Sequence, residues 1–265
     1  MASSGTRRLA TVGQRMLAAG LVSAVISLGA AGCRSLALGA ATAASAGPSA
    51  TASTMATTAA DPQAALTAAQ IAARAVADLK AAASVHVTGS GTDSGQQVRL
   101  SLWLARGKGC RGRITLAGKG SFRMIVIGTV AWIRPDVMFW KTYGGANAAA
   151  LKLLTGKWLK TTSHSSLGPL EQLCRTRFLA RNFQGLGALV SKASTTMSGQ
   201  PAVQLTARSK AQGAMYVSDS SNPEILRVID AGAQGGQLDF TGYGAPVSLS
   251  TPPPGQVLDG KRFGF

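Results

Sequence analysis

The stretch Val98-Arg99-Leu100-Ser101-Leu102-Trp103-Leu104 places an apolar side chain at every second position. A period of two sends alternate side chains to opposite faces of a β-sheet, so the stretch predicts a strand with one apolar face. The alternation returns in three later segments separated by glycine-containing turns, at residues 110–116, 122–127 and 130–134. Short alternating strands at this spacing predict an antiparallel meander.

Further elements are predicted on both sides of this meander. An Ala-rich amphipathic helix is expected over residues 63–84, opened by Asp61 as N-cap and by Pro62. The middle of the chain loses the period of two and predicts helical segments at 135–154 and 167–183. Additional strands are predicted at 85–87, 157–161, 192–197, 201–208, 213–219, 224–230 and 236–241. Together these elements predict an α+β fold, a curled antiparallel sheet of about ten or eleven strands with helices covering the concave face.

The N-terminal segment has the pattern of an export signal. Three arginines and no acid precede the apolar run Leu17–Ala31, and Ala30-Ala31-Gly32-Cys33 follows as a run of small residues ending in cysteine. This order is typical of a secretory signal, and the run is shorter than the ~20 apolar residues of a membrane-spanning helix. The residues before Cys33 resemble the lipobox of bacterial lipoproteins, although Ala30 stands where leucine is usual. The resemblance implies cleavage before Cys33 and acyl chains (palmitate among them) on that residue; the alternative is ordinary cleavage near Ala46 and secretion.

The expected domain organisation follows from the composition. Residues 1–33 are the signal peptide, and residues 34–60, rich in Ala, Ser and Thr, predict a flexible linker because they cannot bury a core. Residues 61–259 are long enough for one domain with a sizeable core. The run Thr251-Pro252-Pro253-Pro254 is expected to end the fold, and residues 260–265 are expected to form a basic tail.

The chain is strongly basic, with a formal net charge of +17 that falls to about +14 once the signal is removed. An excess of this size attracts polyanions, which outside the cytoplasm are anionic lipid headgroups and envelope glycans. The basic residues are scattered and no nucleic-acid-binding motif is present, so nucleic acid is not expected as a partner. An ordinary solvated surface is the alternative interpretation.

Two cysteines remain after Cys33, namely Cys110 and Cys174. An even number of cysteines in an exported chain predicts a disulfide, because disulfides persist outside the cytoplasm. Two unrelated buried thiols are the alternative.

The sequence does not predict catalysis. His86 and His164 are the two histidines, no G-x-S-x-G nucleophile elbow occurs, and no His, Cys, Asp and Glu set has metal-ligand spacing. The G-x-G-x-x-G match at Gly107–Gly112 is flanked by strands on both sides, so it predicts a hairpin turn rather than a phosphate loop. We therefore expect no enzyme activity, no cofactor and no metal.

A series of local motifs follows the leading helix in a characteristic order: Gly109-Cys110-Arg111-Gly112-Arg113-Ile114, Gly120-Ser121-Phe122, Val130-Ala131-Trp132-Ile133-Arg134-Pro135, Phe139-Trp140, Gly156-Lys157-Trp158-Leu159-Lys160, Ser198-Gly199-Gln200-Pro201, Met215-Tyr216-Val217-Ser218 and Leu238-Asp239-Phe240-Thr241-Gly242-Tyr243-Gly244. Over residues ~65–259 the chain resembles the LppX/LprG-type lipoproteins of actinobacteria, which share the LolA-like fold. The resemblance implies a half-barrel with an apolar cavity that holds acyl chains, and a role in moving lipids or lipid-linked glycans across the envelope.

The candidate cavity residues are the apolar strand positions and an aromatic pair at a helix start: Val98, Leu100, Leu102, Leu104, Ile114, Leu116, Phe122, Met124, Val126, Val130, Trp132, Phe139 and Trp140. Basic residues near the rim are expected to steer anionic headgroups. The expected partners are a lipid or glycolipid ligand and the cell membrane, reached through the N-terminal acyl chains. The same alternation also fits a filled core, and an RseB-like module that binds an envelope protein without lipid is the alternative function.

Overall fold

A computed structural model describes residues 63–144, 147–162, 169–186, 188–209, 213–232 and 235–263. The expected signal peptide, Cys33 and the linker lie outside the described residues and therefore stay predictions. Asp61 and Pro62 also lie outside them.

One sheet contains all of the described strands. Its spatial order is β12-β6-β5-β4-β3-β2-β1-β11-β10-β9-β8-β7, and every neighbouring pair is antiparallel except β12 with β6. The strands are β1 Ser84–Asp93, β2 Gln96–Ala105, β3 Gly109–Leu116, β4 Gly120–Ile127, β5 Val130–Pro135, β6 Trp158–Thr162, β7 Leu189–Met197, β8 Gln200–Ala207, β9 Ala214–Ser218, β10 Ile225–Asp230, β11 Gly236–Thr241 and β12 Val257–Asp259. The predicted fold class, a curled antiparallel sheet with helices on one face, is confirmed.

The twelfth strand departs from the prediction that the proline run ends the fold. After Pro252–Pro254 the chain returns to the edge and pairs Val257 with Trp158 and Leu258 with Leu159 in parallel. A three-residue strand shows no alternation, so the sequence carries no period by which to recognise it.

The first helix, α1 (Ala68–Ala81), begins later than predicted. Thr67 and Gln70 form a capping box, in which each side chain bonds the other residue's backbone N–H. This box sets the start of the helix, and residues 63–66 form a turn instead.

That turn is fixed to the sheet by two long side chains. Gln63 Nε2 donates to the carbonyl oxygens of Ser218 (2.7 Å) and Ser220 (3.1 Å). Lys192 Nζ, on strand β7, donates to the carbonyl oxygens of Gln63 (2.9 Å) and Ala64 (2.7 Å). The entry of the chain into the domain is therefore bound to the β7–β9 half of the sheet.

The predicted helical segments in the middle of the chain are four short helices. The region 135–154 contains α2 (Val137–Tyr143) and α3 (Ala148–Leu154), capped by Asp136 and Asn147. The region 167–183 contains α4 (Pro169–Gln172) and α5 (Thr176–Asn182), and a 3-10 turn, Phe183–Leu186, continues from α5.

The core lies on one face of the sheet, beneath these helices. On the β7–β10 half, Ile71, Ala75 and Leu79 of α1 belong to one buried cluster with Leu205 and Met215 of the sheet. On the β2–β5 half, Leu102, Leu104, Met124, Val126 and Ile133 are buried on the same face. The helices thus cover the concave face, as predicted.

The disulfide between Cys110 and Cys174 is confirmed. Cys110 lies on β3 opposite Leu104, and Cys174 lies between α4 and α5, with 5.1 Å between the two Cα atoms. The bond therefore fastens the short helical cover directly to the concave face.

We expect Cys110→Ala together with Cys174→Ala to lower the free energy of unfolding by about 4 kcal/mol, because the bond closes a loop of 64 residues. Urea unfolding of the oxidised protein and of the double variant measures the difference. The same comparison under reducing conditions is the control, since the two proteins should then unfold at similar urea concentrations. Equal stability of the unchanged protein and the double variant under oxidising conditions would contradict the Cys110–Cys174 disulfide.

Candidate functional site

An apolar cavity of about 330 Å³ lies between the α4–α5 cover and the sheet. Its floor is formed by β1, β2, β10 and β11, and its roof by the segment from Leu173 to Leu186. The volume falls within the range of ~300–1,000 Å³ typical of small-molecule pockets. The disulfide at Cys174 holds the roof next to this space.

The cavity exists because β1 and β11 each carry a glycine at the position where they pair, so no side chain fills the space above that pair. Gly91 of β1 and Gly236 of β11 are direct cross-strand partners, and both line the cavity. A Cβ atom on Gly236 would lie 2.3 Å from the Ser90 carbonyl oxygen, so only glycine fits there without moving the backbone. The flanking residues Val98 and Asp230 then border a gap across the middle of the sheet.

The walls of the cavity are apolar. On the sheet, Leu100 and Leu238 face each other across Gly89 and are only half-buried. The roof contributes Leu173, Phe178, Leu179, Phe183 and Leu186. Phe183 packs edge-to-face on Phe240 of β11 with ring centroids 5.7 Å apart, which fixes the roof at that point.

The rim is acidic and hydroxyl-bearing rather than basic. Asp93, Ser94 and Asp230 line the opening, and no lysine or arginine is among the residues that line it. Ser94 Oγ donates to Asp93 Oδ1 at 3.3 Å, and the Gly232 N–H donates to Asp230 Oδ1 at 2.9 Å. The expectation of basic residues at this rim is therefore wrong. The arginines of the adjacent strand β3, Arg111 and Arg113, lie on the opposite face of the sheet.

Two of the predicted cavity residues, Val98 and Leu100, line this cavity. Seven others share the same face but are buried in the packed core: Leu102, Leu104, Ile114, Leu116, Phe122, Met124 and Val126. Phe139 and Trp140 of α2 are also buried, and Phe139 packs edge-to-face on Phe122 at 5.5 Å. None of these nine is among the residues that line the cavity.

Val130 and Trp132 lie on the opposite face, so grouping them with the β2–β4 positions is wrong. The two-residue turn Gly128-Thr129 pairs Ile127 with Val130, and as a result Val126 faces the same side as Ala131. The even-numbered positions of β5 therefore point away from the core.

The sequence reasoning missed the roof and the glycine gap. Leu173, Phe178 and Phe183 lie in a segment without strand periodicity, and the strand candidates came only from β2–β5. The available signal was the pair of glycines, Gly89 and Gly91, which interrupts the alternation of β1.

The described residues contain no obvious catalytic group. His86 stacks on Trp103 with ring centroids 4.3 Å apart, its Nε2 lies 3.0 Å from Ser101 Oγ, and burial lowers its pKa. No group of three His, Cys, Asp or Glu residues able to hold a metal occurs within the ranges described, and His164 lies outside them. The glycine motif at Gly107–Gly112 forms the β2–β3 hairpin, as predicted.

No protein-family model matches this chain, and no curated protein matches it. Among solved structures, LprF from Mycobacterium bovis is similar over 70% of this chain and 96% of its own, with 12% identity and a TM-score of 0.43. An uncharacterised conserved protein from Thermus thermophilus is similar over 71% of this chain and 96% of its own, with 12% identity and a TM-score of 0.32.

In the part of the chain that the structure describes, no helix is long and apolar enough to cross a membrane.

We expect Leu100→Ala to lower the free energy of unfolding by only ~1–2 kcal/mol and Leu102→Ala to lower it by ~3–5 kcal/mol. The two leucines share one strand and one face, but Leu100 borders the cavity whereas Leu102 is 2% exposed within the packed core. Urea unfolding of the two variants measures both values. An equal loss of unfolding free energy in the two variants would mean that the space beside Leu100 is filled by other side chains of the protein.

Proposed function

We propose that this protein is a lipid-binding lipoprotein that holds an acyl chain of a lipid or lipid-linked glycan in the cavity beneath α5. The observation that carries the proposal is an apolar space at the centre of the sheet, walled by Leu100, Leu238 and Phe178 and opening at a polar rim. An apolar interior with a few polar groups at its mouth suits an amphiphile, because its chain is buried while its headgroup stays hydrated.

The size of the cavity limits the ligand. At ~30 Å³ for a small group, 330 Å³ holds on the order of ten methylenes. At ~0.8 kcal/mol for each buried CH2, the chain contributes ~8 kcal/mol, which corresponds to a Kd of ~1 µM before the costs of association. Because association itself costs several kcal/mol, burial of the chain alone gives weaker binding than this, and contacts at the rim must add to it.

The rim favours an uncharged, hydroxyl-rich headgroup. Asp93 and Asp230 present carboxylate oxygens that accept hydrogen bonds, and glycan hydroxyls are donors. A second negative charge beside these carboxylates would be repelled in partly buried surroundings. This chemistry agrees with the lipid-linked glycans that the LppX/LprG resemblance implies.

The proposed setting is the outer side of the cell membrane. Acyl chains on Cys33 would anchor the protein, and the linker at 34–60 would let the domain reach lipids in the envelope. The protein would bind and transfer its ligand with no catalytic step and no cofactor.

Native mass spectrometry tests the proposal on the mature protein purified from a bacterial envelope, followed by organic extraction. Stoichiometric lipid or glycolipid is the expected result. An empty, folded protein that instead co-purifies with an envelope protein would overturn it in favour of the RseB-like alternative.

We expect Leu100→Trp together with Leu238→Trp to reduce bound lipid at least tenfold, because two indole rings would occupy the space between these two walls of the cavity. The control is Val190→Trp, which places an indole ring at an apolar position that is 51% exposed on β7, away from the cavity. The extracted lipid per protein is measured for each. Unchanged lipid in the double variant, with the sheet intact by circular dichroism, would place the ligand elsewhere.

A further inference from the structure

A second concavity, of about 320 Å³, lies on the other face of the sheet and is lined by Arg113, Arg123 and Arg134. The three arginines are direct neighbours on adjacent strands, because β3 pairs Arg113 with Arg123 and β4 pairs Arg123 with Arg134. Arg113 also pairs with Ser101, which points away from the cavity wall at Leu100. We call this concavity the arginine pocket.

The positive charge of the arginine pocket is only partly neutralised, because three arginines line it with a single acid, Asp136. No ion pair between described residues involves any of its three arginines; the recorded pairs are Arg175–Glu171 and Arg227–Asp239. Like charges directly opposite each other on neighbouring strands repel, so this row destabilises the empty sheet. An anion bound among the three side chains would relieve the repulsion.

The one acid at the arginine pocket, Asp136, is already engaged. Its carboxylate accepts hydrogen bonds from Ser121 N–H (2.8 Å), Ser121 Oγ–H (2.9 Å) and the N–H of Phe139 (2.8 Å). These donors fix the carboxylate as the cap of α2. Arg113 contacts it only through Ser121, since its Nη1 donates to Ser121 Oγ at 3.0 Å.

Two of the guanidinium groups are held in position. The hydrogen bond to Ser121 fixes Arg113, and Arg134 lies over the buried Trp158 ring with its Cζ 6.0 Å from the centroid. Planar guanidinium groups bind phosphate oxygens through paired N–H donors, which a lysine cannot reproduce. The arrangement therefore suits a phosphate-type oxyanion.

Exposed apolar side chains flank the same pocket. Val137, which lines it, is 40% exposed, and the adjacent Met138 is 52% exposed. Leu153 is 72% exposed and precedes the pocket residue Thr155 by two positions. Exposed apolar residues beside a pocket of net positive charge are the combination that binds the interface of an anionic bilayer.

We propose that the arginine pocket binds the phosphate of an anionic phospholipid and docks this end of the domain on a membrane surface. The proposal is independent of the cavity beneath α5, which lies on the other face of the sheet. Docking through this face leaves that cavity accessible for its own ligand.

The test is vesicle flotation of the full chain carrying Cys33→Ser, which lacks the predicted lipid anchor. Vesicles of phosphatidylcholine are compared with vesicles of phosphatidylcholine and phosphatidylglycerol in equal parts. Any insertion of the N-terminal apolar segment is common to all variants, so the measured quantity is the gain in affinity that phosphatidylglycerol produces.

We expect Arg123→Gln together with Arg134→Gln to reduce this gain about thirtyfold, which is ~2 kcal/mol. The matched control, Arg177→Gln together with Arg181→Gln, removes the same charge from exposed positions of α5 and should change it less than threefold. Arg123→Lys with Arg134→Lys should give an intermediate loss, because charge is kept but paired donation is lost. Equal losses in the glutamine pair and the α5 control would overturn the proposal, since attraction would then depend only on net charge.

A second variant avoids the strands altogether. Val137→Ser with Met138→Ser changes two exposed side chains, should leave the thermal unfolding temperature unaltered, and should reduce the gain at least fivefold. Inorganic phosphate at millimolar concentration should compete with the vesicles. If phosphate shifts the arginine Nε–H resonances while phosphatidylglycerol produces no gain, the pocket serves a soluble phosphate and the membrane proposal is wrong.

Discussion

The apolar face of a wide, open sheet must be covered, and the described part of this chain has few helical residues with which to cover it. Within that part, α1 has fourteen residues and packs on β7 to β10, whereas the other α-helices have at most seven. Helices as short as α4 and α5 have little stability of their own and depend on tertiary contacts. The Cys110–Cys174 bond provides that attachment, because it ties the segment between them to the strand below.

The cavity follows from this incomplete cover. Where α1 and α2 lie on the sheet, side chains such as Leu79 and Phe139 fill the space and are almost fully buried. Beneath α5 the sheet presents Gly91 and Gly236, so the roof spans a gap that the floor does not fill. The two faces of the sheet then carry different chemistry, since the concave face is apolar with an acidic rim and the other face carries a row of arginines.

The sequence identified the strands well because half-buried strands leave a readable period. Val98 to Leu104 and the segments up to Arg134 each appear as strands, and the short helices appear where that period is lost. Which side chains of a strand face the core was harder to predict, because this depends on the length of the preceding turn. The two-residue turn before Val130 places Trp132 on the face opposite the core, not on the core face as predicted.

The cavity itself could not be located from sequence. Its floor requires β1 to pair with β11, which joins residues about 150 positions apart, and no local pattern specifies such a pairing. Its roof depends on the position of Phe178 and Phe183, which is set by the disulfide and by the contact with Phe240. The strand leucines chosen as candidates are mostly ordinary core residues, because apolar alternation is the same whether the facing space is filled or empty.

The fixed entry of the chain at Gln63 has a mechanical consequence. A pulling force applied from the N-terminal side reaches the hydrogen bonds of Gln63 and Lys192 before it reaches α1. Because those bonds join strands β7 and β9, the load enters the half of the sheet that α1 covers. Force carried along the chain before Gln63 would therefore reach the sheet at β7 and β9 rather than at β1 and β2, which form one side of the cavity floor.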